Sequence, residues 1–376
     1  MTAIDLTKMP KLGFGLMRLP ETGKKIDHET VCAMVDAYLA AGLNYFDTAY
    51  VYHSGLSEVE TREAIVKRHP RESFTLATKL PAWELKCAED RDRIFNEQLE
   101  RAGVDFFDFY LLHSIEDGNI NVYEKFDCFN WVQQKKAEGK IRHFGFSFHG
   151  SPALLKRVLD AHPEVEFVQI QLNYADWNNP VVRSGELYRI LVERNIPMVI
   201  MEPCKGGSLA KLKPELEEKL KAARPDASIA SWAFRYVASL PGIMTILSGM
   251  SDPEQMQDNL STFTNFEPLS DTERAVLDDV TAEMLNIPLI GCTSCRYCCD
   301  GCPMHISIPD VFRAVNTMTL YNETFRPKAF YSGLISSGSG RASDCIACGQ
   351  CEGVCPQHLP IISLMKNAAE KFDKQA

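Results

Sequence analysis

Eight of the thirteen cysteines share one repeated spacing near the C-terminal end. Cys292, Cys295, Cys298 and Cys302 keep the spacing C-x2-C-x2-C-x3-C, with Pro303 next. Cys345, Cys348, Cys351 and Cys355 repeat it 53 residues later, with Pro356 next. Three thiolates two residues apart wrap one iron–sulfur cubane on a tight loop. The fourth, three residues on, points away and ligates the other cluster. The proline ends the loop and redirects the chain. Zinc favours two separated pairs, and zinc or a disulfide scaffold is the plainer alternative. The spacing predicts two [4Fe-4S] clusters. One takes Cys292, Cys295, Cys298 and Cys355; the other takes Cys345, Cys348, Cys351 and Cys302.

A second set of chemical residues follows the ends of apolar runs. Asp47 closes one run and Tyr52 lies in the loop after it. Lys79 ends the next run, His113 the third, Ser147 the fourth, and Asn173 follows the fifth. Asp, Tyr, Lys and His together make a proton-donor set. A free tyrosine, with a pKa near ~10, is a poor acid at neutral pH. A nearby ammonium favours the phenolate. A carboxylate can hold that ammonium, and an imidazole can orient a carbonyl oxygen beside the phenol.

The elements that position these residues alternate. Strand-like runs cover 43–46, 74–78, 106–112, 143–147, 167–172, 197–201 and 243–248, with a weaker one at 264–266. Residues 11–19 read as a short hairpin strand. Helical stretches lie at 29–41, 58–68, 91–102, 122–138, 152–161, 184–194, 215–223, 227–238, 253–262 and 271–285. Asp27 caps the first, and Ser270 with Glu273 makes a capping box for the last. Eight strands alternating with helices predict an α/β fold, a (β/α)8 TIM barrel over residues 1–285. A doubly wound sheet would place a glycine-rich turn after its first strand; this chain has Asp47-Thr48-Ala49 there. After the linker 286–291, residues 286–376 read as a small, mainly helical ferredoxin-like iron–sulfur domain. One helix is expected between the cysteine runs, near 309–320, and a flexible Gly/Ser connection at 336–340. Cys302-Pro-Met-His-Ile matches Cys355-Pro-Gln-His-Leu, which marks an internal duplication.

The barrel segments FDTAYVYHSGLSE (46–58), LATKLP (76–81), DFYLLHS (108–114), GFSFHGS (145–151), VQIQLNY (168–174) and LSGMSDPEQMQDN (247–259) resemble the aldo-keto reductase family. The whole chain is similar to its ferredoxin-fused bacterial type. The resemblance implies NAD(P)H-linked interconversion of a small-molecule carbonyl and alcohol. Tyr52 would be the general acid, Lys79 would tune it, Asp47 would hold Lys79, and His113 would orient the substrate oxygen. Ser147 and Gln169 align with contacts to the nicotinamide amide. Phe148 stands where many members have Asn, and Met201 or Glu202 where many have a stacking Tyr. Ser248, Gly249, Gln255 and Asn259 fall at the adenosine end. Gln255 replaces the Arg that many members set against a 2′-phosphate, so the cofactor is NADPH or NADH. Lys205, Gly206 and Gly207 follow the sixth strand, either as a pyrophosphate contact or as a plain turn. Trp83, Trp177, Tyr50, His53 and His149 lie on strand-end loops, as pocket walls or as packing. The runner-up reading is a nucleotide-sensing or electron-transfer subunit with reduced catalysis.

Net charge is −10, and residues 286–376 balance 8 Lys+Arg against 7 Asp+Glu, so the negative charge lies in the first 285 residues. That disfavours nucleic acid, which wants a basic face. No run of eighteen apolar residues and no basic-then-apolar start occurs, so neither a membrane span nor a signal peptide is expected. Thirteen cysteines with cluster spacing imply a reducing compartment, the cytoplasm. Hydride chemistry moves two electrons and a cluster one. A redox partner protein is therefore expected if the clusters relay electrons; otherwise they brace the fold.

Overall fold

The computed structural model describes residues 5–23, 25–179, 182–321 and 324–373. They fall into two compact units. One runs to Asn179 and adds Arg183–Pro203 and Ala233–Leu269; the other joins Cys204–Trp232 to the chain from Ser270 onward.

The first unit holds a closed barrel of eight parallel strands. They are β1 Leu12–Gly15, β2 Tyr45–Asp47, β3 Thr75–Pro81, β4 Phe107–Ile115, β5 Ile141–Phe148, β6 Phe167–Gln171, β7 Met198–Met201 and β8 Ile243–Ser248. Closure runs through β1, which pairs with β8 (Leu12 with Ile246) and with β2 (Phe14 with Phe46). The expected (β/α)8 architecture is present, with two corrections. The eighth strand is not 264–266, which ends a helix, Pro253–Thr264. It is β1, in the segment expected as a hairpin. A short antiparallel pair, Glu21–Thr22 with Lys25–Ile26, comes just after it. The stretch expected as one helix at 122–138 is two, Ile120–Lys125 and Cys128–Ala137, broken where Asp127 turns left-handed at φ 51°.

Alternation along the strands sorts the barrel interior into layers. Tyr45, Ala77, Phe109, Phe167 and Val199 belong to one buried apolar cluster. Two residues further along β2, β3 and β6, on the same face, stand Asp47, Lys79 and Gln169. The polar layer is thus seated on an apolar plug. Gly145 keeps β5 close to β6, because a Cβ there would run into the Phe167 carbonyl oxygen.

In the second unit, helices Pro214–Ala223 and Asp271–Leu285 pack together, and Lys219 Nζ donates to Asp279 Oδ2 at 2.8 Å. The Ser270–Glu273 capping box is formed. The duplication extends well past the cysteines. Left-handed residues recur at the 53-residue offset: Ser294 and Ala347, Arg296 and Gly349, His305 and His358. So do the short helices Tyr297–Asp300 and Gln350–Gly353, and the long helices starting at Ile308 and Ile361. The helices Phe325–Ser336 and Ile361–Phe372 were not expected from sequence. The Gly/Ser connection is tied down: Gly340 N–H donates to His305 O (3.1 Å) and Ser307 N–H to Ser339 Oγ (3.0 Å). No described helix is long and apolar enough to cross a membrane.

Gly145→Ala should lower unfolding free energy by about 3 kcal/mol, because β5 or β6 must move to admit a methyl group. Thermal and denaturant unfolding measure this, and an unchanged midpoint would contradict the close approach.

Candidate active site and cysteine loops

The β2 to β4 ends bring the expected proton-donor set together. Lys79 is fully buried, Asp47 and His113 nearly so, and Tyr52 is 8% exposed. Lys79 Nζ donates to Asp47 Oδ1 at 2.6 Å and to the Thr48 carbonyl oxygen at 2.7 Å. Two short acceptors favour the ammonium, which can donate to both. Burial pulls Lys79 below the usual lysine range and Asp47 above the usual carboxylate range, while their mutual attraction opposes both shifts. The ammonium stands 4.9 Å from the Tyr52 ring centroid. Tyr52 and His113 meet edge to face, centroids 5.9 Å apart. Burial, then the positive charge of Lys79, then His149, hold His113 well below the usual imidazole range. It is a neutral ring at pH 7.

Local backbone sets the phenol. Tyr52 opens a 3-10 turn, and His53, Ser54 and Gly55 follow with φ of 49°, 54° and 88°. Three left-handed residues in a row reverse the chain directly after the tyrosine. His53 fixes this turn by accepting the Leu19 N–H (3.3 Å) and pairing with Glu21 (3.1 Å). Tyr50 donates to Glu97 at 2.6 Å. Trp83, 48% exposed, stands 5.2 Å from the His113 ring. Trp177 packs on Tyr188 and Tyr236 instead.

The residues aligned with cofactor contacts are placed as follows. Ser147 Oγ accepts the Ser114 N–H at 2.6 Å. Gln169 is 2% exposed; its Nε2 lies 3.6 Å from Met201 Sδ, and its Oε1 is buried with no hydrogen-bond partner. A buried acceptor left unbonded is costly, and it fits a group that brings an N–H donor, as a carboxamide does. Asn259 donates to Ser248 Oγ at 2.9 Å. Gly249 lies against the Arg18 side chain. Gln255 is folded back onto its own helix start, donating to Asp252 Oδ2 (2.6 Å) and accepting from Ser251 N–H (3.0 Å). Asn173 is occupied with Asp176 and the Glu202 carbonyl. Lys205–Gly207 form a turn in the second unit, where a Cβ on Gly206 would strike the Thr293 backbone.

The cysteine loops enclose two hollows. The first, about 310 Å³ and partly open to solvent, is lined by Cys292, Cys295, Cys298 and Cys355. The second, about 370 Å³, is lined by Cys302, Cys345, Cys348 and Cys351. Each takes three cysteines from one loop and one from the other. Ile308 and Ile361 line both. Among the described residues no three His, Cys, Asp or Glu side chains converge on a single-ion site. A cubane is bonded at four separate irons, so its ligands stand further apart than those of one ion.

Glu58, at the end of the segment FDTAYVYHSGLSE, is fully buried, which its polar neighbours in the sequence do not signal. Its Oε1 accepts from Thr78 Oγ1 (2.7 Å) and Gln98 Nε2 (3.0 Å). The available signal was Gln98, a polar residue on the same helical face as Ile94, Phe95 and Ala102.

Residues 11–282 match the model of the aldo/keto reductase family, and residues 291–359 match that of a 4Fe-4S dicluster domain. The chain is 26% identical over 293 residues to the L-galactose dehydrogenase of Arabidopsis thaliana, covering 73% of this chain and 90% of that protein. Among solved structures, the holo form of an aldo-keto reductase from Bacillus halodurans is similar at TM-score 0.59 and 24% identity, covering 74% of this chain and 96% of that one. An aldo-keto reductase from Klebsiella pneumoniae, solved in complex with NADPH, is similar at TM-score 0.56 and 22% identity, covering 74% and 92%. The chain therefore belongs to the aldo/keto reductase family of oxidoreductases, its barrel followed in sequence by a 4Fe-4S dicluster domain.

Proposed function

We propose that residues 1–285 form a barrel that interconverts a carbonyl and an alcohol by NAD(P)H-linked hydride transfer, with Tyr52 as general acid. The observation that carries this reading is the meeting of Tyr52, Lys79, Asp47 and His113 in one buried cluster. The chemistry supplied by a bound nicotinamide is the transfer of a hydride. Ser147 and the unbonded Gln169 Oε1 would hold its carboxamide, and Met201 would lie near its ring. Ser248, Gly249, Gln255 and Asn259 would take the adenosine end. Gln255 offers no guanidinium fork to a 2′-phosphate, so NADH serves this reading as well as NADPH.

His113, neutral, donates to the carbonyl oxygen and orients it. Tyr52 gives its proton to that oxygen as the carbonyl carbon accepts the hydride. The Lys79 ammonium, anchored by Asp47 and the Thr48 carbonyl, stabilises the phenolate that remains. In the oxidative direction the phenolate takes the proton back. Acid–base catalysis of this kind contributes about 10²–10⁴-fold. Trp83 gives the substrate an apolar wall beside His113.

In the same reading, residues 286–376 carry two [4Fe-4S] clusters. One is held by Cys292, Cys295, Cys298 and Cys355, the other by Cys345, Cys348, Cys351 and Cys302. The crossed lining of the two hollows supports this grouping. The clusters supply one-electron chemistry. We favour a relay to or from a redox partner protein over bracing, because cluster potentials are tunable over about −700 to +450 mV.

Tyr52→Phe should lower kcat for reduction of small aldehydes by roughly 100-fold or more while nicotinamide Kd, followed by fluorescence, stays within about twofold. Lys79→Met should do similar damage. Near wild-type turnover by the Phe variant would refute the assignment. Cys302→Ala should remove the cluster of the second loop: its iron content falls by about half, and its reduced EPR spectrum matches that of Cys348→Ala. Loss of the first-loop cluster alone, matching Cys295→Ala, would overturn the crossed grouping. NAD(P)H should bleach cluster absorbance near neutral pH, directly or after addition of a flavin or a ferredoxin. No bleaching in any case, with full activity in a folded cluster-free variant, would assign the clusters a bracing role.

A further inference from the structure

We propose that the Gln357 side chain donates an N–H to a sulfur of the first cluster, assigned to Cys292, Cys295, Cys298 and Cys355, and so raises its reduction potential. This rests on the reading that the cysteine loops carry two [4Fe-4S] clusters. Gln357 follows Cys355-Pro356 and lines the first hollow together with those four cysteines. It is 6% exposed, and its Nε2 is buried with no hydrogen-bond partner among the described residues. A buried donor left unbonded costs about 1–3 kcal/mol. Apart from Gln357, Thr293 and the cysteines, the described lining of this hollow is apolar. The acceptors it offers the amide are sulfurs. Thiolate and sulfide accept and cannot donate, so they select the NH2 end of the amide over its oxygen.

The duplication isolates this residue. Across the 53-residue offset Gln357 corresponds to Met304, and the turn around each is the same. His305 N–H donates to the Cys302 carbonyl at 3.0 Å and His358 N–H to the Cys355 carbonyl at 2.9 Å. The two histidines have φ of 52° and 47°. Met304 lines the second hollow as Gln357 lines the first. A thioether has no N–H to give. Gln350, the other polar residue among those described at the second hollow, is exposed, and its amide lies against Gly301. One hollow therefore holds a buried amide donor and the other a methionine in its place. Reduction makes cluster sulfurs more negative, so an N–H bond to them strengthens and favours the reduced state. Hydrogen bonds to sulfur are among the levers that set cluster potentials.

The test is an EPR-monitored reductive titration of the full-length, cluster-loaded protein, with dithionite as electron donor. Gln357→Met copies the residue of the other loop. It should lower the reduction equilibrium constant of the cluster that Cys295→Ala removes by about tenfold, or about 59 mV for one electron. The other cluster should stay within about threefold of its wild-type constant. With glutamine isotope-labelled at its side-chain nitrogen, pulsed EPR of the reduced wild type should show a nitrogen coupling that Gln357→Met lacks. Unmoved midpoints, an equal fall in both, or a coupling that survives in iron-replete Gln357→Met overturns the proposal. If Gln357→Met loses iron, labelled Gln350→Ala decides: a persisting coupling supports, and its absence overturns. Wild-type iron content and EPR separate the two claims. No reduced cluster signal there sinks the cluster reading itself, whereas a wild-type signal with unmoved midpoints sinks Gln357 alone.

Discussion

A lysine ammonium with no solvent exposure is the constraint on which the site depends. An isolated buried charge of that kind is not tolerated, and removing one partner of a buried pair costs about 3–5 kcal/mol. Asp47 and the Thr48 carbonyl answer it at 2.6 and 2.7 Å. Satisfying Lys79 fixes the end of β2, since both acceptors are consecutive residues there. That in turn fixes the start of the loop that delivers Tyr52. The left-handed run His53–Gly55 then reverses the chain directly after the tyrosine, whose ring centroid lies 4.9 Å from the ammonium. The ion pair is therefore as much a device for placing a tyrosine as a source of charge.

The barrel supplies what the pair needs around it. Inward positions alternate with outward ones, so an apolar layer built from Tyr45, Ala77, Phe109, Phe167 and Val199 sits two residues below the polar layer. The plug keeps water from the underside of Lys79 and raises the weight of every charge above it. His113 reports the same environment: burial, then the neighbouring ammonium, hold it well below the usual imidazole range. Glu58 and Gln98 show that the arrangement continues behind β3, where a second carboxylate is held by the same strand.

The C-terminal segment solves a different problem by repetition. A cubane needs thiolates at four corners, and one short loop reaches only three. Each hollow is lined by three cysteines of one copy and one of the other. The copied part includes the left-handed residues between the cysteines and the helix after each Cys-Pro, so the loop conformation and its anchor were repeated together. Ile308 and Ile361, equivalent in the two copies, stand between the hollows and separate them with apolar surface.

By itself the sequence carried the alternating plan, the Asp47, Tyr52, Lys79 and His113 set and two equally spaced cysteine runs, because each rests on spacing along the chain. It also contained the helix Ile361–Phe372, since the 53-residue offset carries the expected helix 309–320 onto it. Tertiary structure alone decided which segment closes the barrel. Residues 12–15 and 264–266 are both short, and pairing with both β8 and β2 marks the former as the strand that closes the barrel. It alone showed Gln255 bonded to Asp252, since a flexible amide goes to whichever partner the fold brings near. It alone revealed Glu58, because a glutamate on a polar stretch looks solvated until β3 and Gln98 are packed against it. Spacing can name groups that act along one segment; burial is a property of what the rest of the chain lays over them.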